Sequence, residues 1–145
     1  MALASVIVAV LTPLVGLLVQ GSTPADRFVG VVLPLLLLHG AMLIAFERPD
    51  VTGDSASGKQ TLSVRLGPTA SARLHGALIG AAFGTLLLAI GPGPLDGSEA
   101  GWALSLAPLG LLQAGWFTRA SDGMLVTAAL GLFGGSALAM LVGLA

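Results

Sequence analysis

Long apolar stretches alternate with short polar segments along the chain. Five of these stretches approach the roughly 20 residues that an α-helix needs to cross the hydrocarbon core of a bilayer. They comprise residues 2–19, 28–46, 74–90, 102–117 and 124–144. The pattern predicts an all-α integral membrane protein with about five transmembrane helices, built as a single transmembrane helical domain over residues 1–145.

The amino-acid composition favours the same class. Hydrophobic residues make up 55% of the chain and charged residues only 9%, against roughly 25% charged residues in an average soluble domain. The net charge of −1 provides no basic field for nucleic acid, so the lipid bilayer is the expected partner. The sequence contains no cysteine, which excludes disulfides, thiolate metal sites and cysteine nucleophiles.

The positions of the cations predict the orientation of the helices. Most of the Lys and Arg residues lie in the long segment 47–73, and Arg119 lies in the last connection, whereas the two alternate connections contain Arg27 alone. Because cytoplasmic loops are enriched in Lys and Arg, segment 47–73 is predicted to be cytoplasmic. The expected localisation is the inner (plasma) membrane, as a multi-pass protein with its C-terminus outside.

Small residues and prolines predict how the spans pack and bend. Small residues at every fourth position let neighbouring helices approach closely in a membrane. Two such series are Gly76, Gly80, Gly84 and Gly135, Ala139, Gly143. Proline inside a span removes a helical hydrogen bond, so kinks are expected at Pro13, Pro34 and Pro108.

Segment 47–73 contains the candidate chemistry. Asp50 and Asp54 are four residues apart, so in a helix their side chains share one face, with Cβ atoms about 5–6 Å apart. Two carboxylates suit Mg²⁺, which commonly takes one or two of them together with phosphate oxygens. Lys59 and Arg65 would neutralise the remaining phosphate charge. The segment therefore predicts a magnesium-dependent site for a lipid diphosphate.

Two other interpretations of this segment compete. Asp50 and Asp54 adjoin Pro49 and Gly53, and aspartates beside such residues are common in turns, where they need no ligand. Residues 53–59 also read G-x-x-x-x-G-K, the beginning of a nucleotide-binding loop. Gln60 follows where that loop needs Ser or Thr, and a membrane helix precedes it in place of a buried strand, so nucleotide binding is not expected.

The residues of this segment resemble a known motif. Residues 50–67 read D-V-T-G-D and, after three residues, G-K-Q-T-L-S-V-R-L-G. This run resembles the second aspartate-rich motif of the UbiA superfamily of intramembrane prenyltransferases. Within the superfamily it looks most like the 1,4-dihydroxy-2-naphthoate polyprenyltransferases of menaquinone biosynthesis, since Glu47 and Pro49 precede it.

The resemblance implies a specific fold and reaction. Members of this family are nine-helix bundles in which Mg²⁺ joins two aspartate-rich motifs to the diphosphate of a polyprenyl donor, and an aromatic acceptor receives the prenyl group. By analogy, Asp50 and Asp54 are the catalytic, magnesium-binding carboxylates of the second motif. Lys59 and Arg65 are the expected diphosphate-binding residues.

The chain departs from the family in one respect. The first motif of the family, N-x-x-x-D-x-x-x-D, requires asparagine, and the sequence contains none. The five predicted spans correspond to the fifth to ninth helices of the family fold, so we expect a C-terminal half: a truncated protein, a fragment or one part of a split enzyme. Because the chain would hold only half of the metal site, we expect it to transfer no prenyl group without the N-terminal half of the enzyme.

A non-catalytic protein is the alternative. A multi-pass membrane protein of another function, or a partner subunit of a split enzyme, could retain the same polar segment. Among individual residues, Glu47 is expected either to orient a cation or the acceptor or to pair with Arg48. His39 is expected to be a neutral histidine bonded to a neighbouring helix, and His75 to be an interfacial residue or at most a neighbour of the phosphate site.

Overall fold

A computed structural model describes residues 7–11, 14–15, 25–90, 95 and 97–143, and these residues form helices and connections without a β-strand. A short π-helical turn, Ile7–Leu11, precedes six α-helices. These are α1 (Ala25–Glu47), α2 (Val51–Ala56), α3 (Leu62–Ile90), α4 (Gly97–Leu104), α5 (Ala107–Trp116) and α6 (Asp122–Gly143).

Three of these helices are long and apolar enough to cross a membrane. They comprise Phe28–Glu47, Leu62–Ile90 and Asp122–Ala139. The described part of the chain is therefore all-helical with membrane character, and its three long helices contain the second and third predicted spans and nearly all of the fifth. The first predicted span, residues 2–19 with Pro13, lies largely outside the described residues.

The prediction of one continuous helix over the fourth span, residues 102–117, is wrong. Helix α4 ends at Leu104, a turn follows at Ser105 and Leu106, and α5 begins at Ala107. Pro108 lies at the start of α5. In a continuous helix its ring would clash with the carbonyl of Leu104 and its missing N–H would leave that carbonyl unbonded, so the helix breaks. Pro34, by contrast, is accommodated inside α1.

The third span begins much earlier than hydropathy predicts. Helix α3 starts at Leu62, so a large part of the predicted loop 47–73 is helical. A break at Gly67, with φ 73° and ψ 171°, divides α3 into a short first segment and a long second one that Pro68 begins. Glycine is needed there because a side chain strongly disfavours that backbone conformation.

The helices pack as an antiparallel bundle. Gly40 of α1 faces Leu78 of α3, and Glu47 contacts Ser63 nearer the chain reversal, so the two helices run in opposite directions. One buried cluster centres on Leu38, Ile79 and Leu86, and a second on Ile44, Phe117 and Leu125. The second cluster lies beneath the C-termini of α1 and α5 and the N-terminus of α6, an end of the bundle that we call the motif end.

Close helix packing depends on a glycine that the small-residue series did not include. Gly110 of α5 is buried, and a Cβ atom there would lie 2.8 Å from Cε2 of Phe83 and 3.0 Å from Cγ2 of Ile79. In the predicted series, Gly76 approaches Ala114 at 3.6 Å, whereas Gly80 and Gly84 have no described atom within 4 Å of that position. Among the described residues, close packing in this series is therefore found at Gly76 alone.

Candidate functional site

The two predicted catalytic carboxylates lie one helical turn apart. Asp50 is the residue before α2, and the N–H of Asp54 donates to the carbonyl of Asp50 at 2.7 Å. Asp50 is exposed, whereas the side chain of Asp54 is only 12% exposed. The four-residue spacing thus forms a helical turn, which is the geometry expected for two carboxylates on one face.

Lys59 binds Asp54 directly. Its Nζ lies 2.9 Å from Oδ1 of Asp54, and its N–H donates to the carbonyl of Asp54 at 2.8 Å. Gly58, with φ 75°, makes the reversal that returns the chain to α2. The hydrogen bond and the charge of Asp54 raise the pKa of Lys59 against a smaller opposing effect of desolvation, and Asp50 and Glu47 add weaker attraction. Lys59, which was predicted to bind diphosphate, therefore lies among carboxylates.

This pairing predicts the titration of Lys59, which is the single lysine of the chain. Because the folded-state pKa is raised, the contact contributes to stability at pH values below the unfolded-chain pKa of about 10.4. The contribution is lost as the pH rises through the higher folded-state value. Reductive ¹³C-methylation and NMR titration should give a midpoint that Asp54→Asn lowers more than Asp50→Asn. Equal midpoints in the parent protein and Asp54→Asn would show that the pair does not form.

Arg65 lies apart from the carboxylate pair. It belongs to the first segment of α3, where its N–H donates to the carbonyl of Thr61 at 3.0 Å and its side chain is exposed. An exposed guanidinium can reach an anion outside this bundle. The structure therefore brings Lys59 to the aspartates but leaves Arg65 on a separate turn, and its role in binding diphosphate stays a prediction.

Glu47 caps the N-terminus of α3. Its Oε2 accepts a hydrogen bond from the N–H of Ser63 at 2.8 Å, and Oγ1 of Thr61 accepts one from Val64 at 3.4 Å. These acceptors occupy N–H groups in the first turn of α3 that have no partner within the helix. The expected pairing of Glu47 with Arg48 is not found among the described contacts, because the carboxylate caps α3.

Arg48 reaches across to α6 instead. Its Nε lies 3.4 Å from Oδ1 of Asp122, and its Cζ lies 5.8 Å from the centre of the Phe117 ring. Nη1 of Arg48 is buried without a hydrogen-bond partner in the described part of the chain. Arg48 therefore joins three elements at the motif end and retains unused donor capacity.

The motif end contains a cavity of about 300 Å³. Its walls come from the turn before α2, from the first residues of α2, from both segments of α3 and from the end of α5. The lining residues are Arg48, Val51, Thr52, Ser63, Pro68, Ser71, Phe117 and Thr118. None of Asp50, Asp54, Lys59 and Arg65 is among them, so the described cavity and the predicted carboxylate pair are separate features.

His75 lies inside the bundle, against a residue that lines the cavity. It is fully buried, and its Nδ1 is 2.9 Å from the carbonyl oxygen of Ala41. Its ring packs against that of Phe117, with centroids 4.6 Å apart. His39 packs edge-on against Phe133, with centroids 5.2 Å apart. Both histidines therefore connect helices within the bundle.

The carboxylates fit a shared magnesium site and not a complete one. Within the described residues, no group of three or more His, Cys, Asp or Glu side chains could hold a metal. Asp50 and Asp54 offer the one or two carboxylates that Mg²⁺ commonly takes beside phosphate oxygens and water. A bound magnesium ion would therefore need ligands from a substrate or from another polypeptide.

Several residues of this region were not identified from the sequence. Ser63 and Ser71 of α3 are far in the chain from Phe117, and they share a cavity with it only because α3 packs against the end of α5. The sequence indicates Arg48 as one of the cations of the segment and as a partner of Glu47, not as part of a cavity. One feature of the sequence indicates that Arg48 shares a face with Val51 and Thr52. It precedes them by three and four residues, and that spacing places side chains on one face of a helix.

Comparison of the chain with known protein families, curated proteins and solved structures finds no match.

Proposed function

We propose that this chain is the C-terminal half of a magnesium-dependent prenyltransferase of the UbiA type. The complete enzyme would transfer a polyprenyl group from its diphosphate to an aromatic acceptor in menaquinone-type quinone biosynthesis. The chain would lie in the inner (plasma) membrane with the motif segment in the cytoplasm. One observation carries the proposal: Asp50 and Asp54 are one helical turn apart with Lys59 held at Asp54, in a run that resembles the second aspartate-rich motif.

The exposure of Asp50 and Lys59 supports an incomplete site. Asp50 is at the surface of the bundle, and Lys59, which contacts the less exposed Asp54, is exposed as well. A surface with two carboxylates and one ammonium group is typical of a site that a second polypeptide completes, since two carboxylates alone bind Mg²⁺ weakly. The N-terminal half of the family fold, with the first motif, would contribute the opposing carboxylates.

The residues of this chain would act on the departing diphosphate. Bound Mg²⁺ would neutralise part of the negative charge that grows on the leaving group. Asp50 and Asp54 would orient the diphosphate through that ion. Lys59 would exchange its contact with Asp54 for a phosphate oxygen, and Arg65 would bind the outer phosphate, so that fixed positive charge meets the developing negative charge.

Reconstitution tests the proposal. The chain would be purified alone and also together with a four-helix partner from a family member that carries N-x-x-x-D-x-x-x-D. Each sample would receive a polyprenyl diphosphate, 1,4-dihydroxy-2-naphthoate and Mg²⁺. We expect prenylated product from the complex only, because the chain alone supplies one side of the metal site.

Two results would contradict the proposal in different ways. Product from the chain alone would show that one motif suffices and would reject the half-enzyme assignment. No product from a folded complex that binds both substrates would reject the enzyme and favour a non-catalytic membrane protein. A complex assembled with Asp50→Asn in this chain serves as the inactive reference, since the substitution keeps the size of the side chain.

A further inference from the structure

Three donor groups around the motif-end cavity have no acceptor. Ser63 and Ser71 are each 3% exposed, and neither Oγ has a hydrogen-bond partner in the described residues. Nη1 of Arg48 is buried and unpaired as well. A buried polar group without a partner is unfavourable, and most strongly so when it is charged. The residues that line the cavity therefore include three donors that have no acceptor among the described residues.

The charge around the cavity favours an anion. Its lining contains the guanidinium of Arg48 and no acidic side chain. Two carboxylates that contact lining residues are already engaged: Glu47 accepts from the N–H of Ser63, and Asp122 contacts Nε of Arg48. Because Arg48 keeps Nη1 free, a second anion can bind it through the remaining side of the guanidinium.

The cavity is distinct from the carboxylate pair. Arg48, Val51 and Thr52 follow the spacing i, i+3, i+4 and line the cavity together. Asp50 and Asp54 follow the spacing i, i+4 on a different face of the same turn and are absent from the lining. A ligand in the cavity therefore does not need the magnesium site.

The remaining walls combine three apolar residues with two threonines. Val51, Pro68 and Phe117 are the apolar ones, and Thr52, Pro68 and Thr118 are exposed. A volume of about 300 Å³ is at the lower end of the range for small-molecule sites. The cavity can thus hold a charged group at its buried donors and a small ring or the start of an acyl chain at Phe117.

From these contacts we propose that the motif-end cavity binds an oxyanion, a carboxylate or a phosphate monoester, attached to a small apolar body. Arg48 pairs with the charge, and the hydroxyls of Ser63 and Ser71 donate to its oxygens. The same chemistry could be presented by a soluble metabolite or by the head group of a lipid in the surrounding bilayer. The site is independent of the prenyltransferase proposal.

Phenyl phosphate is the probe for this site, with the full chain in a neutral maltoside detergent. We expect saturable binding by calorimetry, which the uncharged analogue phenol does not displace. Ser71→Ala and Ser63→Ala should each weaken binding roughly tenfold or more, since a hydrogen bond to a charged group is lost. Arg48→Gln should reduce binding further because the charge is removed.

Ser136→Ala is the matched control. Ser136 of α6 is also buried with an unpaired Oγ, but it does not line the cavity. Both Ser71→Ala and Ser136→Ala should raise the unfolding temperature of the unliganded protein, because each removes a buried hydroxyl without a partner. Only Ser71→Ala should weaken binding of phenyl phosphate. This opposite effect on stability and affinity is not expected of a serine with a purely structural role.

Lipid nanodiscs distinguish the two sources of the oxyanion. If a lipid head group is the ligand, phosphatidic acid in phosphatidylcholine nanodiscs should compete with phenyl phosphate, and Ser71→Ala should remove the competition. If the ligand is soluble, affinity should be the same with and without phosphatidic acid. Each result supports the site and assigns its source. The proposal is overturned if phenyl phosphate does not bind saturably or if Ser71→Ala binds it as tightly as Ser136→Ala.

Discussion

Asp50→Ala is expected to abolish magnesium-dependent diphosphate binding by the chain in complex with a partner that carries the first aspartate-rich motif. The substitution removes one of two carboxylates that lie one turn apart. Mg²⁺ binds such a site through very few protein ligands, so the loss of one should weaken binding by roughly two orders of magnitude or more. Binding of a radiolabelled polyprenyl diphosphate with and without Mg²⁺ measures the effect.

Ser55→Ala provides the control for this prediction. Ser55 lies in the same short helix α2, is exposed and does not line the motif-end cavity. Its replacement should leave diphosphate binding unchanged, and Asp54→Ala should reproduce the loss seen for Asp50→Ala. If Asp50→Ala bound diphosphate with the affinity of Ser55→Ala, the assignment of Asp50 as a magnesium ligand would be wrong.

Gly110→Ala is expected to destabilise the bundle by about 1–3 kcal/mol. The new methyl group would lie 2.8 Å from Cε2 of Phe83 and 3.0 Å from Cγ2 of Ile79, which is inside van der Waals contact. Ile79 is fully buried and has little room to move. Thermal unfolding in detergent micelles, followed by circular dichroism, should show a lower midpoint.

Gly115→Ala is the matched substitution in the same helix. No described atom lies within 4 Å of a Cβ at Gly115, which is exposed. Alanine is favoured over glycine in a helix by up to about 1 kcal/mol, so this variant should be as stable as the parent protein or more so. Equal destabilisation of the two variants would mean that close packing at Gly110 is not the cause.

The long helices were predictable because their apolar stretches are continuous. The predicted span 28–46 lies within α1, Ala25–Glu47, and the predicted span 124–144 nearly coincides with α6, Asp122–Gly143. The predicted start of α3, residue 74, is 12 residues later than the observed start at Leu62, because hydropathy treats Arg65 and Arg73 as loop residues. Both are exposed, and an exposed arginine does not interrupt a helix.

The candidate site was predictable only where it is local. The spacing of Asp50 and Asp54 was enough to predict a shared helical turn, because four residues make about one turn. The contact of Lys59 with Asp54 depends on the reversal at Gly58, a conformation that the sequence permits but does not require. The cavity depends on α3 meeting α5, and no local pattern specifies which helices become neighbours.

The break at Gly67 separates the two serines of the cavity into different rigid segments. Ser63 belongs to the short segment before the break, and Ser71 to the long helix after it. The spacing of their hydroxyls is therefore set by one backbone conformation that glycine tolerates and other residues adopt only at a cost of about 1–3 kcal/mol. A side chain at position 67 would change the distance between the two hydroxyls without replacing any residue that lines the cavity. Selectivity for the size of the anion would therefore depend on a residue outside the cavity.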